Sequence, residues 1–190
     1  MQPTLSVELR RSEDLLASER EEIRTLSRLA WGPPEVIARD PAVRRGIIWS
    51  TDYAWQVLVR DVDGSLISHA AVIERTIAVN EASVRTGGLA AVVTHPERRR
   101  RGAARLAVVC ATDVVCSQLE AEFALLFSSE VGVPLYTSLG WRPVAGPVVC
   151  AQPQATLTWT QEFPSKPVLA LACKGGDVPT GAIDVRGFPW

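Results

Sequence analysis

Four consecutive arginines, Arg98 to Arg101, run into Gly102-Ala103-Ala104-Arg105, directly after a stretch of β-forming residues and directly before a helical one. Backbone N–H groups at a helix start form an anion site, small residues let a phosphate approach the main chain, and arginines add charge-assisted hydrogen bonds. The chemistry within reach of this segment is the binding of a polyphosphate. The structural alternative is a solvated basic turn, since arginine runs often serve only solubility or nucleic-acid contact. The whole chain does not favour nucleic acid: 20 basic against 21 acidic residues leave a net charge of −1, and the positive charge is local.

These residues must be positioned by elements that the pattern of the chain suggests. Leu15, Leu16, Ile23, Leu26 and Leu29 recur at near-helical spacing behind Ser12 as a candidate N-cap, which predicts a first helix over 12–30. Trp31 to Asp52 holds Gly32, Pro33, Pro34 and Pro41, so irregular structure or a short second helix is expected there, able to wall a pocket. Residues 54–60, 66–79 and 84–94 read as strands of an antiparallel meander, turning at Asp61–Gly64 and Asn80–Ser83. Residues 102–119 suit a helix packed on a sheet. Glu122–Ser128 reads as a fifth strand, Pro134–Leu139 as a short helix, and 155–162 and 167–172 as closing strands.

The 190 residues fit one domain spanning 1–190, large enough to bury most of its surface. Cys110, Cys116, Cys150 and Cys173 lack the paired spacing of a zinc site, and His69 and His95 are the only imidazoles, so no metal is expected. The cysteines read as small apolar fillers in a reducing compartment, with no disulfide needed. Met1 to Glu8 lacks a basic region followed by an apolar core, and no apolar run approaches bilayer length, which points to a cytoplasmic protein without membrane contact.

The loop resembles the acyl-CoA pyrophosphate loop of the GNAT acetyltransferases, with Arg99, Gly102 and Ala104 at its three key places. That resemblance implies an α/β (α+β) fold: a mixed central sheet with a splay between strands 4 and 5, flanked by helices. It further implies acetyl-CoA as cosubstrate. The pyrophosphate would be held by Arg99, Arg100, Arg101, Gly102, Ala103, Ala104 and Arg105. The pantetheine arm would lie like an added strand along Ala90-Ala91-Val92-Val93, through the backbone of Val92 and Val93. Pro134 to Trp141 resembles the family's second signature, in which Tyr136 corresponds to a tyrosine that protonates the departing thiolate; an ordinary phenol, with a pKa near 10, suits that role. Tyr136 as a packing residue is the alternative.

Ser68 to Arg75, Leu135 to Trp141 and the ending Asp184 to Trp190 look like aminoglycoside 2'-N-acetyltransferases, antibiotic-resistance enzymes. In that family the terminal tryptophan and its carboxylate reach the acceptor site, where carboxylates pair with a polycationic sugar. The resemblance implies an acceptor pocket drawn from Asp40, Glu74, Ser129, Asp184 and Trp190. The family's strand-four glutamate aligns with Ala90, and Pro189 replaces an acidic residue, so Glu74 is a substitute base, or else an exposed residue paired with Arg75 or Arg85. These departures also raise an atypical acceptor such as kasugamycin, and a looser similarity links the chain to nodulation N-acyltransferases. Acylation of another amine (an amino sugar, polyamine, oligosaccharide or protein N-terminus) and non-catalytic acyl-CoA sensing are the competing functions. A homodimer face near Trp159 is a further expectation of the resemblance.

Overall fold

A long hairpin is the spine of the protein: β3 (Leu66–Val79) and β4 (Ala82–Thr94) pair antiparallel along nearly their whole length. Asn80 and Glu81 take φ of 47° and 71° at its tip, as a tight hairpin turn requires. The computed structural model describes residues 5–173 and 175–190. Met1–Thr4, part of the stretch read for a leader, lie outside the described residues.

On one side of the spine, β2 (Trp55–Arg60) pairs the first half of β3, and β1 (Ser6–Arg11) pairs β2. The short β10 (Ile183–Asp184) pairs the far end of β3 and runs parallel to β7 (Val148–Gln152), which pairs β8 (Ala155–Thr158). On the other side, β5 (Phe123–Phe127) runs parallel to β4, followed by β9 (Val168–Ala172) and β6 (Arg142–Pro143). A parallel neighbour needs a crossover, and α4 (Ala103–Asp113) with the single π turn Val114–Gln118 supplies it.

The sheet divides two cores. Ala103, Ala107, Val108 and Ala111 of α4 pack with Val72, Leu89, Leu126, Tyr136 and Trp141 on one face. Ile73, Ile77, Ala90, Leu125, Trp159, Phe163 and Trp190 pack on the other, with Trp49 and Phe127 at its border. One-turn helices α2 (Pro34–Ile37) and α3 (Pro41–Arg44) lead into the second core through Ala42. No helix among the described residues is long and apolar enough to cross a membrane.

Several expectations are corrected. Residues 6–11 form a strand, and the first helix, α1 (Ala17–Trp31), starts after the Ser12 cap expected for it. Strand pairing with β2 holds the chain extended to Arg11, and the Glu19 carboxylate then accepts the Leu16 N–H at 2.9 Å. Trp159, expected on a strand near a dimer face, is fully buried in the one-turn helix α6 (Trp159–Glu162). Its indole donates to the Lys166 carbonyl, and its ring meets Trp49 and Phe127 edge-on. The cysteines are not all free thiols: Cys116 on the π turn and Cys173 after β9 form a disulfide, while Cys110 and Cys150 remain unpaired. Their 57-residue separation hid the pairing, because only the sheet brings them together.

Candidate functional site

The β4–β5 ladder runs from Thr86↔Phe123 to Leu89↔Leu126 and stops. Beyond it β4 continues to Thr94, paired only with β3, while β5 ends at Phe127 against β9. Among the described residues Ala90 to Val93 therefore present an edge with no strand partner on the β5 side. A β-bulge sits there: Ala71 faces Ala90 and His69 faces Val93, so Ala91 and Val92 together oppose Ala70. Ala91 takes φ 49°, a left-handed conformation that disfavours side chains.

The arginine loop follows β4 directly. His95 caps a short 3-10 turn, Arg99 is extended, and Arg100 and Gly102 take φ of 62° and 82°, which turns the chain into α4. A Cβ at Gly102 would meet nothing within 4 Å. The N-cap of α4 is thus open, while Ala103 behind it is buried in the core. The arginines are divided between two tasks. Asp61 on the β2–β3 turn, its side chain 3 % exposed, holds Arg98 at 3.1 Å and Arg101 at 3.2 Å. Arg99, Arg100 and Arg105 are exposed and make no ion pair among the described residues. Arg101, expected beside Arg99 as a phosphate ligand, is tied to Asp61 with its side chain still half-exposed.

Tyr136 lies on α5 (Val133–Thr137), buried on the α4 face with its ring edge toward Trp141 at 6.0 Å. Burial pushes its phenol up to about 12, above the value near 10 expected of it from sequence. Its hydroxyl makes no hydrogen bond among the described residues. A Cβ at Gly132 would meet Ser128 Oγ at 2.8 Å, Tyr136 at 3.1 Å and Ser129 Oγ at 3.7 Å, so Ser129 and Tyr136 converge where β5 leaves the sheet.

Trp190 lies on the opposite face, 5 % exposed. Its indole donates to the Leu125 carbonyl at 3.3 Å, covers Gly88, and meets Phe127 edge-on. The Arg75 guanidinium stands 4.9 Å from the indole ring and donates to the Phe188 carbonyl at 2.8 Å and to Ser50 Oγ at 3.1 Å. The Pro189 carbonyl accepts from the Ser50 N–H at 2.7 Å. The tail is stapled by its main chain.

The carboxylates expected around Trp190 do not gather there. Glu74 pairs in register with Gly87, whose Cβ would meet Val115 on the α4 face, so Glu74 projects away from Trp190. It is bound to Arg85 at 2.7 Å. Asp40 caps α3, accepting from the Ala42 N–H at 2.8 Å, and pairs with Lys166 at 2.5 Å. Asp184 is exposed at the far end of β3, opposite Ala78, seven residues or roughly 20 Å along the strand from Ala71, the partner of Ala90. Strand register, which decides face and depth, keeps Glu74 and Asp184 from Trp190, while Asp40 is taken up by the start of α3 and by Lys166.

The chain matches the acetyltransferase (GNAT) domain family over residues 14–144. An aminoglycoside 2'-N-acetyltransferase of Mycolicibacterium fortuitum is 34% identical over 101 residues, 52% of this chain; the match spans about half of that relative, 49% of its length. YhbS of Escherichia coli, solved with CoA, is similar in fold with a TM-score of 0.59 at 18% identity, over 97% of this chain and 92% of that one. A GNAT family acetyltransferase of Brucella melitensis, solved with acetyl-CoA, reaches 0.53 at 17% identity over 94% of both chains. With its splayed mixed sheet, arginine loop and crossover helix, the chain belongs to the GNAT acetyltransferase family.

Proposed function

We propose that the chain transfers the acetyl group of acetyl-CoA to the amine of a small molecule, and that the acceptor is an aminoglycoside bearing a 2'-amine. The observation that carries the donor half is the open edge Ala90–Val93 lying next to three unpaired arginines and an unobstructed helix start. Amides along an arm of pantetheine type suit an unpaired strand, and a pyrophosphate suits the main chain of Gly102, Ala103 and Ala104 with Arg99, Arg100 and Arg105 around it. The bound donor supplies a thioester, whose C–S bond is exchanged for a C–N bond as the acceptor nitrogen loses one proton and the departing sulfur gains one. Tyr136 keeps its proton at any physiological pH because burial disfavours phenolate. A phenol this weak gives up a proton to a thiolate only uphill, so its contribution is a hydrogen bond to the sulfur as charge develops there.

The acceptor half rests on the likeness of the chain to the Mycolicibacterium fortuitum enzyme and on the half-buried ring of Phe127, backed by the buried Trp190, beside the splay. A specific observation favours a second reading, an amine of lower positive charge. The cation over the Trp190 ring is the Arg75 guanidinium, on which Asp52 acts, and Asp40 and Glu74 are already paired with other cations; like charges placed together are costly. Acetyl-CoA-dependent release of free thiol, measured over aminoglycosides with and without a 2'-amine, kasugamycin, and simple polyamines, tests both halves. Release only with 2'-amines supports the first reading, and release with singly charged amino sugars alone supports the second. No release with any acceptor, despite CoA binding, would leave acyl-CoA sensing.

A further inference from the structure

The bulge in β4 is held by a side chain. The carbonyl of Ala91 meets Nδ1 of His69 at 3.1 Å, and His69 is 1 % exposed between β2 and β4. Nε2 of the same ring lies 2.7 Å from the Oε1 of Gln56, and the NH₂ of that amide donates to Ser12 Oγ at 2.7 Å. A carbonyl only accepts, so Nδ1 carries the proton. Burial lowers the His69 pKa to about 4, so the ring is neutral at physiological pH and Nε2 needs a donor. A neutral ring that donates from Nδ1 calls for this amide turned end for end, with its NH₂ toward Nε2 and its oxygen accepting from the Ser12 hydroxyl. Every polar atom in this row is used, and neither ring nitrogen is available to take a proton from an acceptor amine.

The bulge begins two residues beyond Leu89, the last β4 residue paired with β5. A bulge bends its strand and interrupts the ladder, and a non-glycine residue held at positive φ persists only where its surroundings enforce it.

We propose that His69 is a positioning residue for the acyl donor: its Nδ1–H, bound to the Ala91 carbonyl, sets the bulge that presents the Ala90–Val93 edge of β4 to the pantetheine arm. This rests on the reading that acetyl-CoA docks along that edge. His69 touches neither donor nor acceptor; it acts through the peptide of Ala91.

The experiment compares His69→Asn, which keeps an N–H near the Nδ1 position, with His69→Leu and His69→Gln, which do not. CoA affinity by calorimetry, thermal unfolding and steady-state kinetics are measured on the full chain. In His69→Leu, CoA affinity falls roughly tenfold and the KM for acetyl-CoA rises by a similar factor. The acceptor KM and the kcat at saturating donor move much less, and His69→Asn recovers most of the affinity. Should the leucine variant not fold, the Asn and Gln variants give the same contrast. Wild-type CoA affinity in a folded His69→Leu chain overturns the proposal, as does equal weakening by Asn, Gln and Leu, which marks a packing role. Absence of CoA binding by the wild-type chain is a separate outcome: it removes the donor reading itself and this proposal with it.

Discussion

The indole of Trp190 occupies the space where Gly88 carries no side chain: any Cβ at Gly88 would overlap its Cε2 and Nε1 atoms. The neighbouring Gly87 does the same for Val115 on the other face. The pair of glycines lets both cores close onto β4 beside the end of the β4–β5 ladder.

Gly88→Ala is therefore expected to cost roughly 1–3 kcal/mol by overpacking, a fall of several degrees in Tm for a chain of this size. In a Trp190→Ala background the same substitution should cost much less. A double-mutant cycle by thermal unfolding checks this, and additive effects would show that the two residues do not constrain each other.

Asp61→Asn keeps the shape of the turn and removes the charge that Arg98 and Arg101 share. Both guanidiniums are part-exposed, so the stability loss should be small, about 1 kcal/mol. The loop that carries Arg99, Arg100 and Gly102 loses its anchor. The KM for acetyl-CoA should rise several-fold with an unchanged acceptor KM; equal changes in both would place Asp61 outside donor binding.

Tyr136→Phe should lower kcat by about tenfold to a hundredfold, with CoA affinity within twofold, as loss of a hydrogen bond made only as the C–S bond breaks requires. Unaltered kcat where chemistry is rate-limiting would return Tyr136 to packing against Trp141.

His69 gives the stability a pH signature. Its folded pKa lies near 4, below the ordinary 6.5, so between those values the unfolded chain binds the extra proton. Stability is full above about 6.5 and is lost as pH falls toward 4, by up to roughly 3 kcal/mol. Denaturant unfolding of wild type and His69→Asn at pH 7 and pH 4.5 measures it, and parallel losses in the two would assign the acid sensitivity elsewhere.

Reducing the Cys116–Cys173 disulfide frees a 57-residue loop, which chain entropy values at about 4 kcal/mol. A lower Tm in dithiothreitol, absent in the Cys116→Ala/Cys173→Ala double variant, is the expected result.

The parts of this protein that sequence alone determined are those whose chemistry is local. The turn at Arg99 to Gly102 and the helix after it were readable in consecutive residues, because a glycine ahead of an alanine-rich run marks a helix start without any distant partner. The strands at 54–60 and 66–79 were legible because apolar and β-branched runs need no partner to be recognised. Tertiary structure decided what depends on register and on distant segments. One residue of register separates the face of Gly87 and Glu74 from that of Gly88 and Trp190, so an acidic pocket plausible in one dimension does not assemble in three. Asp61 is linked to Arg98 and Arg101, and Cys116 to Cys173, only through the sheet. Likewise His69 and the Ala91 carbonyl meet across two strands at a bulge that no residue pattern announces.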